Sequence, residues 1–129
     1  MNGRSKRKTM RADRKNAERR GRAGEALAAL LLRLKGYRIL GRRVRTQVGE
    51  IDLVARSPRG VLCFVEVKAR PDARSAVDSV AMRQRARIQR AATLFVSSKP
   101  ALSQAAMRFD IVTVSPRALP RHIPDAWRP

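Results

Sequence analysis

The apolar positions of this chain place its first regular element between Gly24 and Lys35. Leu27, Leu30, Leu31 and Leu34 recur there at helical spacing and share a face, and Gly36 is a natural stop. Ala28, Ala29 and Leu32 lie on the opposite side with Glu25, so the helix is apolar nearly all round and is expected to be covered on two sides. Three strand-like stretches follow, Tyr37–Arg45, Val48–Ala55 and Val61–Ala69, with Ser57 to Gly60 turning the chain between the last two. Asp72 to Ser75 reads as loop. A long helix is predicted from Val77 to Ser97, closed by Lys99-Pro100. Its apolar stripe is Val77, Ala81, Ile88, Ala91 and Phe95, with Gln84 in the middle. Phe109–Val114 is a fourth strand, and the proline-punctuated end predicts little regular structure. The order α-β-β-β-α-β describes an α/β chain, a mixed sheet flanked by helices rather than a repeated βαβ array.

Charge changes this picture most. The 129 residues hold 30 Lys plus Arg against 10 Asp plus Glu, a net charge of +20. Self-repulsion on that scale opposes compactness, and a polyanionic partner relieves it. Nucleic acid is the expected partner, because neutralised phosphates release counterions. Residues 1–22 carry 10 basic and 2 acidic groups with almost nothing to bury, and read as a disordered basic tail. Residues 23–129 form the domain, itself basic. The longest apolar run, residues 26–32, is too short to cross a bilayer, and no amphipathic helix offers an apolar membrane anchor. The single cysteine, Cys63, lies in an apolar run, which points to a core residue and a reducing, cytoplasmic setting.

Candidate chemistry sits in the middle strands. Val61–Lys68 is apolar on both faces at its start, as in a central strand, so Glu66 and Lys68 fall where charges are expensive. In the preceding strand, alternation sets Glu50, Asp52 and Val54 on one face and Ile51, Leu53 and Ala55 on the other. A hairpin of the two strands brings Asp52 towards Glu66. Adjacent carboxylates repel unless a cation separates them, and hard oxygen ligands without His or Cys suit Mg²⁺ or Mn²⁺. An ordinary network, Glu66 to Lys68 and Asp52 to an arginine, accounts for the same residues equally well. Glu25 is a first-turn acid complementing the helix dipole or a carboxylate in need of a partner. Gln84 is a buried amide serving a site, or one at the stripe's margin. The lone His122 is given no chemistry, and Trp127 is expected to clamp the C-terminus onto the domain surface.

The segments GRAGEALAALLLRLKGYRILGRRVRTQVGEIDLVA, VLCFVEVKAR, SVAMRQRARIQRAA and RFDIVTV resemble the YraN-like family of small bacterial proteins. The resemblance spans about residues 21–127, and Gly-Glu-Ile-Asp with Glu-Val-Lys after thirteen intervening residues is its most specific part. It implies a restriction-endonuclease-like domain of the PD-(D/E)xK superfamily, similar to archaeal Holliday junction resolvases. By that resemblance Glu25, Asp52, Glu66 and the Val67 carbonyl would hold a metal ion, Mg²⁺ or Mn²⁺, and Lys68 would be the catalytic lysine. Gln84 stands where relatives commonly place a lysine, with Arg83 beside it, and Asp110 matches a position expected to be structural. The implied activity is a metal-dependent endonuclease on DNA, branched DNA included, working as a homodimer. The alternative is a non-catalytic nucleic-acid-binding adaptor that keeps the fold.

Overall fold

A computed structural model describes residues 21–129 except 70–72, 79 and 81. A helix over residues 21–34 (α1) ends at Gly36, whose left-handed backbone (φ 87°) lets Tyr37 N–H reach the Leu32 carbonyl at 2.9 Å and Gly36 N–H the Arg33 carbonyl at 3.0 Å. This paired closure satisfies the last carbonyls of the helix and needs glycine at that position. Strands β1 (Arg38–Thr46) and β2 (Gly49–Arg56) form a tight hairpin, and β3 (Leu62–Lys68) pairs antiparallel with β2. Two helices, α2 (Ala73–Asp78) and α3 (Met82–Ser97), then cross to β4 (Met107–Ser115), which lies parallel to β3. A final strand, β5 (Ala118–Trp127), pairs antiparallel with β4.

The sheet runs β1-β2-β3-β4-β5, so β3 is central, as its two apolar faces predicted. Leu62, Cys63, Phe64 and Val65 are fully buried. On one face Leu53, Ala55, Cys63, Val65 and Val112 pack under Ala28, Ala29 and Leu32 of α1. On the other, Val54, Leu62, Phe64 and Phe109 pack under Ala76, Val80, Ile88, Ala91, Ala92 and Phe95. The result is an α/β sandwich with one mixed sheet between helices. Among the described residues no helix is long and apolar enough to cross a membrane.

Several expectations are corrected. The core face of α1 is the Ala28–Ala29–Leu32 side, whereas Leu27, Leu30 and Leu34 are 39%, 50% and 78% exposed. Small residues let the helix axis approach the sheet closely, which outweighs the greater apolar area of the leucine side. The long second helix is broken: Val80 leaves the helical path and is buried, and α2 occupies positions 73–75 that read as loop. Ile88, Ala91 and Phe95 do face the core; Ala81 lies outside the described residues. The C-terminal stretch is a ten-residue strand, because at the sheet edge Pro120 and Pro124 forfeit no ladder bond that the sheet requires. Trp127 is a core residue, 5% exposed and stacked on Phe109 at 4.3 Å, and not a surface clamp. Of the expected tail, residues 1–20 lie outside the described part and Gly21 and Arg22 are helical.

Candidate metal centre

The β2–β3 ladder stops at Leu53 and Val65. One residue further the strands part, and the Asp52 carboxylate takes the place of the missing backbone acceptor: Val67 N–H donates to Asp52 Oδ2 at 2.8 Å. The carbonyl of Val67 leaves the strand on the same edge as its N–H, so it also faces this opening rather than β4. Strict alternation in β2 fails at the same level. Ile51 packs with Val54 on the α3 side although Leu53 and Ala55 face α1, and Asp52 comes within reach of Glu25 on α1. On β1 the neighbouring irregularity is Arg43, with a left-handed backbone (φ 50°). It lies between the pairs Arg42–Leu53 and Val44–Ile51, opposite Asp52.

Glu25 arrives because Gly24 allows a close approach. A Cβ at Gly24 would lie 3.0 Å from Val114 Cγ2 and 3.8 Å from Val67 Cγ1, so the start of α1 rests almost directly on β3 and β4. Glu25, Glu50 and Asp52 then present carboxylate oxygens within 4.8 Å of one another. Glu66 joins through Asp52, its buried carboxyl lying against Asp52 with Lys68 near both. Burial, and then the Asp52 charge, push the Glu66 carboxyl up to about 8. Burial also raises Asp52, against the opposing bond from Val67 N–H. Glu66 Oε1 is buried and has no hydrogen-bond partner among the described residues. Arg43 Nε donates to Glu25 Oε2 at 2.5 Å, and Arg45 Nε lies 3.5 Å from Glu50.

A second buried carboxylate gives the contrast. Asp110 is fully buried and accepts from Arg108 Nε and Nη2 (both 2.8 Å), His122 Nε2 (2.8 Å) and Asp125 N–H (2.9 Å). Burial pulls its pKa up, but these partners win and hold it below the ordinary carboxylate range. His122 is buried between Asp110 and Lys35, whose Nζ meets Nδ1 at 2.5 Å. That network is complete without any further group; the Asp52–Glu66 pair is not.

The structure therefore gathers Glu25, Asp52, Glu66, Val67 and Lys68. It adds Glu50, which alternation had grouped with Asp52, although it set both with Val54, a residue of the opposite side. Gln84 is half-buried in the first turn of α3, and among the described residues no hydrogen bond ties it to the carboxylates. Arg87, one turn on, packs against Gly49 at the β1–β2 hairpin, with its Cδ 2.9 Å from where a Cβ would stand. Arg22, Arg42, Arg43 and Arg45 approach the same cluster from α1 and β1, and a depression of about 210 Å³ opens between Arg22, Glu25, Arg42 and Arg43.

The stretch holding all of these acids, residues 24–114, matches the model of the uncharacterised protein family UPF0102. The chain belongs to that family. UPF0102 proteins similar to it include one of Paramagnetospirillum magneticum, 51% identical over 117 residues that cover 87% of this chain and 89% of the relative. One of Agrobacterium fabrum is 51% identical over 114 residues, covering 88% and 93%. The UPF0102 match begins at Gly24 and so takes in the close helix contact that delivers Glu25.

Proposed function

We propose that this UPF0102 chain is a divalent-metal-dependent endonuclease with a restriction-endonuclease-like core, acting on DNA through its phosphodiester backbone. The observation that carries the reading is the orphaned, buried Glu66 Oε1 beside Asp52. Two carboxyls forced together out of water, one with an unsatisfied oxygen, form a donor set that a hard divalent cation completes. Asp52, Glu66, Glu25 and the Val67 carbonyl would hold Mg²⁺ or Mn²⁺, with Glu50 at the outer edge. The ion would supply Lewis acidity towards a phosphoryl oxygen and acidify a water. Lys68, close to both Asp52 and Glu66, would orient the attacking water and offset charge on the phosphate. Gln84 lies on α3, which packs on the face of the sheet opposite α1, and would be a weaker candidate for holding the phosphate. The arginines of α1, β1 and α3 would grip the backbone without reading bases.

The adaptor reading has one observation in its favour: Arg43 already neutralises Glu25. A labelled panel of duplex, single strand, flap and four-way junction, incubated with Mg²⁺, Mn²⁺ or EDTA, separates the two. Metal-dependent cutting is expected, lost in Asp52→Ala and Lys68→Ala, with Asp52→Ala binding as well as wild type or better because a negative charge is gone. Tight binding without cutting in any metal would establish the adaptor.

A further inference from the structure

Arg43 combines four features that no helix cap or surface ion pair requires. Its backbone is left-handed (φ 50°), a conformation unfavourable for a long side chain, and residues held so tend to cluster at functional sites. It stands opposite Asp52 in the β1–β2 register. Its guanidinium bonds Glu25 and feels the charges of Glu50 and Asp52 as well, so it lies beside these three acids. It also lines the depression shared with Arg22 and Arg42. A cation is thus built into the chain at the place where the carboxylates need one.

Resting on the metal-dependent reading above, we propose that Arg43 is a placeholder cation: it neutralises Glu25 until a divalent ion binds, and then turns into the Arg22–Arg42 depression to grip a substrate phosphate. A divalent ion on Glu25 neutralises its charge and repels the Arg43 guanidinium, so metal binding loosens the ion pair and leaves a forked, permanently charged donor free next to a basic hollow, the geometry that suits a phosphodiester. The contact acts as a lock on the empty centre and as a phosphate hand once it is filled.

The test is calorimetric titration of the full-length chain with Mn²⁺, comparing wild type with Arg43→Asn and Arg43→Lys. Asparagine tolerates the left-handed backbone and removes the charge, and Arg43→Gly replaces it if that variant does not fold. Arg43→Asn is expected to bind Mn²⁺ about tenfold more tightly, as loss of a nearby like charge requires, while Arg43→Lys stays near wild type. Affinity for a 20-base-pair DNA duplex, measured with Ca²⁺ and with EDTA, is expected to fall in Arg43→Asn only when Ca²⁺ is present. Unchanged or weaker Mn²⁺ binding in Arg43→Asn would overturn the placeholder role. A duplex affinity that falls equally with and without Ca²⁺ would overturn the hand-over. A wild type that binds no Mn²⁺, with Asp52→Ala indistinguishable from it, would instead remove the metal-dependent reading itself and this proposal with it.

Discussion

Glu66 and Asp110 are buried carboxyls on adjacent strands, and their surroundings drive them in opposite directions. Glu66 is raised to about 8 in the fold from 4.5 in an open chain, chiefly by burial. Between those values the unfolded state gives up its proton while the folded state keeps it, so this group's contribution to stability is full below 4.5 and declines as pH rises towards 8. Glu66→Gln is expected to remove that decline and to stabilise the protein at pH 8 by roughly 2 kcal/mol, read from urea unfolding at pH 5 and pH 8. Mn²⁺ is expected to restore wild-type stability at pH 8 and to leave Glu66→Gln nearly unmoved. Asp110→Ala should do the reverse at neutral pH, destabilising by about 3 kcal/mol because Arg108 and the Asp125 amide lose their shared partner. A loss under about 1 kcal/mol in that variant would deny Asp110 its structural role. Strand periodicity pointed to Glu66 and Asp52 from the sequence. His122 and Lys35 were invisible as members of the Asp110 network, because they come from elements far apart in the chain.

The elements show where pattern reading holds and where it bends. Central strand β3 and the turn that joins β2 to it were legible, since apolar runs and turn residues act locally. Helix α1 was legible as a helix but not in orientation, because both its faces are apolar and close packing chose the small-residue side. Leu32→Ala is therefore expected to cost about 3 kcal/mol and Leu34→Ala less than about 0.5 kcal/mol, checked by thermal or urea unfolding; equal losses would mean the leucine face is also covered. The break at Val80 and strand β5 escaped the pattern for another reason. A residue leaves a helix, or a proline-bearing segment joins a sheet edge, in response to partners that local sequence does not name.

At the scale of the whole molecule, a chain of net charge +20 holds a small acidic centre. Arginines from α1 and β1 surround that centre, so nucleic-acid affinity should be dominated by phosphate neutralisation. It is expected to fall about a thousandfold between 50 and 200 mM salt, measured by fluorescence anisotropy on duplexes of unrelated sequence. A flat salt profile would assign the charge to another purpose. The sequence by itself determined the α/β class, the central strand and the basic character, and pointed to Asp52 and Glu66, because these follow from residue type and period along one stretch of chain. Only the tertiary structure decided that β2 and β3 part at Asp52, that Gly24 lets α1 bring Glu25 to the opening, and that Arg43 already stands beside it. Those placements depend on strand register and helix approach, distances between segments that no local pattern encodes.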